Sequence, residues 1–333
     1  MPRRVPAYGD QQAGITRPAL PQSQLVSQVY DLHLRPGPVL RDLGELVTEL
    51  TSEPLDGVVD PADLTVTVGI GPRLVHAVDP SLPGADALPS FAGEEIDESH
   101  RGGDLWVQVC GSDPLATGMA AARVQEHLAE AATLRWAQRG WRGTYERTPD
   151  GNEAGRNLQG FQDGIVVART ADELREGVWL SEPAMLRGGS IAVVRRFRMD
   201  LARWRALGVA GQEAAVGRRR GSSLALSGGA KVDLGAKTAD GRYRVPADAH
   251  VRRANPLDVG VPVMLRRSYS IDTPEPGLLF VSFQNSLRTF TATMQRLVES
   301  DRMIGFTATT ASASFLVLPG ATASVPLGGS LFT

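Results

Sequence analysis

Hydrophobic and polar positions in the first half of the chain follow the periods of strands and helices. Residues 64–70, LTVTVGI, alternate apolar and polar side chains, as a half-buried strand does. Within residues 119–131, apolar side chains recur near a helical period. Similar segments predict strands at 29–34, 104–110 and 133–141 and a second helix at 41–50. The predicted order is therefore βαββαβ, with helices packed on an antiparallel sheet.

The second half repeats this order of elements. A strand at 190–199 leads into a helix at 200–207, for which Asp200 is a suitable N-cap residue. Further strands are predicted at 277–284 and 314–320, with a helix at 289–300 between them. Repetition of one supersecondary unit predicts an α+β fold of two tandem ferredoxin-like modules, residues 1–160 and 161–333.

The second module contains a long segment, about 208–276, that is rich in Gly, Ser and Arg. Loops of that length in a compact domain are usually functional or disordered. We interpret the segment as an insertion that encloses a cofactor. Its subsegment GRRRGSSLALSGG is expected to be the least ordered part.

Composition indicates an ordinary soluble globular protein. The 333 residues carry a net charge of −2 and are 42% hydrophobic, enough to bury a large core. Near-neutral charge argues against a nucleic-acid partner, because phosphate binding normally needs a concentrated basic surface. Two arginine-rich runs, 195–198 and 218–220, are local exceptions, which we interpret as solvated surface.

The single cysteine, Cys110, excludes an intrachain disulfide and a cysteine zinc site, and its apolar neighbours predict that it lies in the core. No segment approaches the roughly 20 apolar residues of a membrane span. The N-terminus also lacks the apolar stretch of a secretory signal. The sequence as written therefore predicts a cytoplasmic protein without a membrane partner; removal of a leader would instead indicate an exported form.

Three short segments carry the residue types needed for chemistry on peroxide. They are GFQDG at 160–164, DAHVRRANP at 248–256 and LRRSYS at 265–270. They supply one carboxylate beside glycine, one histidine followed by two arginines, and a second arginine pair. Peroxide activation at a heme iron needs an imidazole ligand, a group that moves a proton and a fixed cation. These segments can fill all three roles.

Of the five histidines, His250 is the best candidate for an iron ligand. For His33, His76, His100 and His127 a structural or solvated role is far more common than ligation. His250 is followed directly by two arginines, and guanidinium groups match the two anionic propionates of heme. A surface histidine on a loop is the alternative interpretation of His250.

The order and wording of these segments resemble the dye-decolorizing peroxidase family, whose hallmark is GxxDG followed by a distant histidine and arginine. QQAGI at 11–15, GGSIAVVRRFRMDLARW at 188–204 and GLLFVSFQ at 277–284 also look like that family. GxxDG alone would be weak evidence, because many turns carry it. The resemblance implies two ferredoxin-like modules in a dimeric α+β barrel-like arrangement, with heme b in the second half. It implies a peroxidase that reduces hydrogen peroxide and oxidises phenolic, dye-like or other organic reductants.

The resemblance also implies a role for each residue of the site. His250 is the proximal ligand of the iron, and Arg252 contacts a heme propionate. Asp163 is the distal acid–base residue, which takes a proton from peroxide and returns it to the leaving oxygen. Arg266 aligns best with the distal arginine, which stabilises negative charge as the O–O bond breaks. Arg267 is the reserve candidate, because a strand points successive side chains to opposite faces.

Two further residues belong to the expected heme site. Gly164 permits a positive φ and close approach of the backbone to a flat ligand. An ordinary turn, in which Asp163 caps its own backbone, is the alternative interpretation. Phe280 and its apolar neighbours in the strand at 277–284 would give the pocket an apolar wall, and they fit a simple core strand equally well.

The chain departs from the family pattern at two places. Relatives usually continue GxxDG with threonine and asparagine, where this chain has Ile165 and Val167, so the distal hydrogen-bond network is reduced. Many relatives also place a carboxylate against the free N–H of the proximal histidine, which raises ligand basicity. Gly305 aligns with that position, four residues after Asp301. If Asp301 does not replace the carboxylate, we expect a higher reduction potential of the iron and weaker peroxidase activity.

Two alternatives to the peroxidase stay open. A heme-binding protein with weak turnover, serving heme handling or peroxide sensing, fits the missing network residues. A cargo protein of a shell compartment is the other, because PLGGSLF at 326–332 faintly resembles the short tails used for such loading. The family tendency also implies a homo-oligomer.

Overall fold

A computed structural model describes residues 4–332 of the chain, apart from the side chain of Leu257. The first half contains strands β1 (Gln24–Leu32), β2 (Thr65–Ile70), β3 (Leu105–Gly111) and β4 (Ala132–Trp141). Its helices are α1 (Pro36–Ser52), α2 (Pro72–Val78) and α3 (Pro114–His127). Apart from the short α2, this is the βαββαβ order predicted from the hydrophobic pattern.

The second half begins with a small hairpin and then repeats the ferredoxin-like order with insertions. Its strands are β5 (Tyr145–Arg147), β6 (Glu153–Gly155), β7 (Ser190–Met199), β8 (Leu265–Arg266), β9 (Tyr269–Ile271), β10 (Gly277–Gln284) and β11 (Thr307–Val317). Its helices are α4 (Ala171–Gly177), α5 (Leu201–Ala206), α6 (Gly208–Val216), α7 (His250–Arg253) and α8 (Leu287–Ser300). Short 3-10 turns lie at Glu98–His100, Ala184–Leu186, Pro256–Val259 and Ile304–Phe306.

One antiparallel sheet joins the two halves. Its strand order is β7-β11-β2-β3-β1-β4-β9-β10-β8, and β10 also pairs with β7, so the order closes on itself. The halves meet where β11 pairs with β2 and where Trp141 of β4 pairs with Ser270 of β9. The predicted α+β, barrel-like fold of two ferredoxin-like modules is therefore confirmed.

Successive residues of β1 show how the closed sheet separates two cores. Leu25 and Val29 belong to the core inside the barrel, whereas Val26 and Tyr30 belong to the core between the sheet and the outer helices. This alternation is the period of two expected for a strand buried on both faces. The inner core also contains Cys110, which is 2% exposed, as its apolar neighbours predict.

Two strands extend further than the hydrophobic pattern indicates. Their first residues include buried polar or small side chains, which interrupt the alternation of apolar and polar positions. β1 begins at residue 24 instead of 29: Ser27 and Gln28 are buried, and Ser27 accepts a hydrogen bond of 2.9 Å from the Trp106 indole. β11 begins at residue 307 instead of 314, with the small side chains of Ala311 and Ala313 filling the buried positions.

The long segment 208–276, interpreted as an insertion, contains short helices and strands. α6 follows α5 after one intervening residue, and α7, β8 and β9 lie further along the same segment. The interpretation of both arginine runs as solvated surface is wrong for three side chains. Arg195, Arg196 and Arg218 are 0%, 9% and 5% exposed. No helix of the described chain has the length and apolar character needed to cross a bilayer.

Candidate active site

A cavity of about 820 Å³ lies in the second half, bordered by the GFQDG segment, α7, α8 and the sheet. Five of the six predicted site residues line it: His250, Asp163, Gly164, Arg266 and Phe280. They come from segments up to about one hundred residues apart, so only the fold brings them together. Its volume is within the range of about 300–1,000 Å³ common for small-molecule and cofactor sites.

The wall contributed by the sheet and α8 is apolar and aromatic. It includes Phe197 of β7, Phe280 of β10, and Phe290, Met294 and Leu297 of α8. The rings of Phe280 and Phe290 lie 5.7 Å apart. Such a surface suits the face of a large flat apolar ligand.

A buried ion pair supports this wall from behind. The Arg195 guanidinium lies over the rings of Phe197 and Phe290 and bonds the Glu94 carboxylate at 2.6 Å. Glu94 belongs to the first half of the chain, so the pair ties the two halves together next to the cavity. Burial lowers the pKa of Arg195 to about 10, although the Glu94 charge opposes that shift.

His250 is the first residue of α7, and its imidazole bonds a buried carboxylate. Nδ1 lies 2.6 Å from Oδ2 of Asp301, whose side chain is fully buried at the C-cap of α8. The other oxygen of Asp301 accepts hydrogen bonds from the backbone N–H groups of Met303 and Ile304. A carboxylate acceptor at Nδ1 fixes the tautomer, so Nε2 presents its lone pair.

The alignment expected the carboxylate that bonds the proximal histidine at the position of Gly305. Gly305 lies in the 3-10 turn that follows Asp301 and has no side chain to offer. Asp301, four residues earlier, is the carboxylate that bonds the His250 imidazole. Sequence analysis named Asp301 only as a conditional substitute, because an alignment by position does not show that α8 ends beside the His250 imidazole.

The segment that carries Asp163 is held by its neighbours in the fold. Phe161 packs on Trp204 of α5, and the backbone N–H of Asp163 donates to the Gly155 carbonyl of β6 at 2.9 Å. Gly164 has a φ of 89°, which favours glycine at that turn. No hydrogen bond reaches the Asp163 carboxylate from the described residues, so both of its oxygens are available to a ligand.

Arginine side chains bind three consecutive carbonyls after Asp163. Arg169 donates to Gly164 at 2.6 Å and to Ile165 at 2.8 Å, and Arg266 donates to Val166 at 3.2 Å. Sequence analysis singled out Gly164 for its backbone freedom and the residues after it for the missing threonine and asparagine. The guanidinium groups give the backbone of this stretch hydrogen bonds, which the apolar side chains of Ile165 and Val167 cannot supply.

The two arginines of LRRSYS point in opposite directions, as strand alternation predicts. Arg266 lines the cavity, and its Nε is buried without a hydrogen bond to any described residue. Arg267 is fully buried away from the cavity and donates to the carbonyls of Ile15 and Pro18 at 2.7 and 2.9 Å. Burial lowers the pKa of Arg267.

Arg252 is the predicted site residue that the structure does not place on the cavity. Its guanidinium donates to the carbonyls of Leu234, Val245 and Pro246 and stacks on the ring of Tyr243. The cause is helical geometry, because a residue two positions after His250 lies about 200° around the α7 axis. The basic side chains that line the cavity are Arg169, Arg218, Lys231 and Arg266.

Comparison with known proteins agrees with this architecture. The family models "Dyp-type peroxidase, N-terminal" and "Dyp-type peroxidase, C-terminal" match residues 12–142 and 154–322. The dye-decolorizing peroxidase of Thermobifida fusca is 34% identical over 71% of this chain, which spans 59% of that relative's length. A deferrochelatase of Yersinia pseudotuberculosis is 28% identical over 96% of this chain and 82% of that relative's length.

Solved structures are similar over nearly the whole length. An oxyferrous complex of DtpA from Streptomyces lividans has a TM-score of 0.91 and 29% identity, covering 100% of this chain and 98% of that chain. A DyP-type peroxidase from Cellulomonas bogoriensis has a TM-score of 0.86 and 31% identity, covering 98% of each chain. The fold and site thus define an α+β heme protein, and the chain belongs to the DyP-type peroxidase family, whose members are heme-dependent peroxidases. The predicted family and its heme cofactor are confirmed.

The residues present on the cavity fit heme. An apolar, aromatic wall would contact the macrocycle, and the Nε2 atom of His250 would be able to hold the iron. The buried Nε of Arg266 has no protein partner and so requires one from a ligand or water. A carboxylate and a guanidinium on the same cavity supply an acid–base group and a fixed cation.

Proposed function

We propose that this chain is a heme peroxidase that reduces hydrogen peroxide with Asp163 and Arg266 and oxidises small organic reductants such as phenols and dyes. The observation that carries the proposal is the bond from His250, which lines the same cavity as those two side chains, to the buried carboxylate of Asp301. Membership in the DyP-type peroxidase family supports it. Modules at 1–160 and 161–333, a cytoplasmic location and assembly into a homo-oligomer stay predictions from the sequence.

His250 holds the cofactor in this proposal. Heme, when bound, supplies the iron at which peroxide is reduced and the electrons for that reduction. His250 offers Nε2 to the iron, and Asp301 accepts the hydrogen bond from Nδ1–H. A carboxylate partner raises the basicity of an imidazole ligand and lowers the reduction potential of the iron. Asp301 therefore favours reaction with peroxide over simple storage of heme.

Asp163 moves the proton and Arg266 stabilises charge. Asp163 would take the proton from one oxygen of hydrogen peroxide and return it to the other oxygen, which leaves as water. Because the Asp163 carboxylate accepts no hydrogen bond from the described residues, no bond has to break first. Arg266 stabilises the negative charge that develops while the O–O bond breaks heterolytically. Its bond to Val166 fixes it to the segment that carries Asp163.

A heme-handling protein with weak turnover is the second candidate. Two observations favour it: relatives named deferrochelatase align with 96% of this chain, and Ile165 and Val167 replace the usual polar side chains beside Asp163. The arginine bonds to the carbonyls of this segment argue for the peroxidase instead, because they keep it ordered without those side chains.

One experiment separates the two candidates. The heme-loaded protein is mixed with one equivalent of hydrogen peroxide in a stopped-flow spectrometer while the Soret band is followed. A rapid shift of the band that a phenolic reductant then reverses supports the peroxidase. A band that only bleaches, or loss of iron from the porphyrin, supports heme handling and would refute the proposed function.

A further inference from the structure

Arg218 is the most buried of the four basic side chains that line the cavity. It is 5% exposed, whereas Arg169 and Lys231 are exposed and Arg266 is half-buried. It comes directly after Gly217, which ends α6 with a φ of 92°. The end of this helix thus directs one cation into the wall of the cavity.

The protein binds only one end of the Arg218 guanidinium. Nη1 donates to the carbonyls of Ser223 at 2.9 Å and Ala230 at 3.2 Å. Among residues 4–332, Nε and Nη2 donate to no protein atom, and no carboxylate forms an ion pair with the group. The neutral carbonyls hold the side chain in place and leave its charge uncompensated.

Asp150 is the carboxylate whose charge acts on Arg218, but its oxygens have other hydrogen-bond partners. Asp150 also lines the cavity, and its charge partly offsets the effect of burial, which lowers the pKa of Arg218. The Asp150 oxygens accept hydrogen bonds from Thr148 and Asn152. A buried guanidinium without a paired anion costs free energy, and an anion brought by a ligand would offset that cost.

We propose that Arg218 is the counter-ion of a heme propionate and that Lys231 assists from the exposed edge of the same wall. A propionate is a carboxylate, and a guanidinium binds carboxylates through paired N–H groups, such as those that the protein leaves free on Arg218. Arg252 has no such role, because backbone carbonyls already bind its guanidinium. The inference rests on the heme site proposed above and concerns binding instead of peroxide chemistry.

A cycle of protein variants and porphyrin ligands tests the proposal. The apoprotein is loaded with hemin or with hemin dimethyl ester, whose propionates are esterified and uncharged. Release into an excess of apomyoglobin is followed by the Soret band. The variants are Arg218→Gln, Arg252→Gln and, as a control in the same arginine run, Arg219→Gln, because Arg219 is exposed and pairs with Glu213.

The natural chain should release the ester faster than hemin by roughly tenfold or more, the factor expected for a charged hydrogen bond. Arg218→Gln should speed release of hemin by a similar factor, leave release of the ester unchanged and so abolish the difference. Arg219→Gln and Arg252→Gln should keep the difference. The proposal is overturned if Arg218→Gln speeds release of both ligands equally, or if Arg252→Gln abolishes the difference.

A second substitution of Arg218 distinguishes loss of the propionate contact from a general loss of folding. Arg218→Lys keeps the charge and loses the paired N–H groups, so we expect intermediate release of hemin and unchanged release of the ester. Faster release of both ligands from this variant would also overturn the proposal. An Asp163→Asn variant that reacts normally with peroxide would refute the proposed function without affecting the comparison of hemin with its ester.

Discussion

The Nδ1 atom of His250 lies 2.6 Å from Oδ2 of Asp301, which is fully buried at the end of α8. The two residues are 51 positions apart and belong to different helices, so α7 and α8 must pack correctly before the imidazole is oriented. The bond links the fold of the second half directly to the electronic properties of the proposed iron ligand.

Asp301→Asn should raise the reduction potential of the bound iron. The amide remains an acceptor for Nδ1–H but lacks the negative charge that makes the imidazole more basic. We expect reaction with peroxide to slow by roughly 10- to 100-fold. Spectroelectrochemical titration of the holoprotein measures the potential. Glu299→Gln is the matched control, because Glu299 also lies near the end of α8 but pairs with Arg253 at the surface. An unchanged potential in Asp301→Asn would contradict the role given to Asp301.

Asp163→Asn should keep heme and lose most of the reaction with peroxide. The amide cannot accept the peroxide proton, and general acid–base catalysis contributes about 10²- to 10⁴-fold. Stopped-flow rates at the Soret band, with heme content measured in parallel, check both parts. Asp172→Asn serves as control because Asp172 is exposed on α4. Peroxide kinetics equal to those of the natural chain would remove Asp163 from the mechanism.

Arg266→Gln should lower the rate with peroxide and Arg267→Gln should lower the stability of the fold, although the residues are adjacent. Arg266→Gln removes a cation from the cavity, and we expect a loss of about 10²- to 10³-fold in the rate with peroxide at little cost in stability. Arg267→Gln leaves the carbonyls of Ile15 and Pro18 without their donor, which costs about 1–3 kcal/mol for each unsatisfied group. Thermal melts and rates per bound heme separate the two effects. Equal loss of stability in both variants would contradict the opposite orientations.

Arg169→Gln should loosen the segment that carries Asp163. The substitution removes charged donors from the carbonyls of Gly164 and Ile165. Amide hydrogen exchange over residues 160–168 should quicken by roughly tenfold, and the rate with peroxide should fall while heme stays bound. Arg175→Gln is the control, because Arg175 is exposed on α4 and bonds Asp172 at the surface. Exchange as slow as in the natural chain would show that Arg169 does not hold the segment.

Hydrophobic periodicity was sufficient to predict the main architecture. Both strand–helix repeats were recognisable, and the strands at Ser190–Met199 and Gly277–Gln284 agree residue for residue with the prediction. Periodicity failed where buried positions carry polar or small side chains, as at Gln28 of β1 and Ala311 of β11. Burial of those residues depends on partners elsewhere in the chain, which no local pattern contains.

The candidate site was predictable in its residue types and less so in its contacts. The motifs led to His250, Asp163 and Arg266, which the structure places on one cavity. The bond to Asp301 and the direction of Arg252 away from the cavity depend on the helices and their packing, which the motifs do not show. Arg218 looked like one of several surface arginines, because its burial arises from the turn that follows α6.

The most direct test of the central claim is a ligand-rescue measurement on His250→Gly. Resonance Raman spectra of the ferrous holoprotein report the iron–histidine stretching band, with turnover of peroxide measured on the same samples. We expect the variant to lose the band and its turnover, and added imidazole to restore both in part. A variant that keeps the band and full turnover without imidazole would show that another residue ligates the iron.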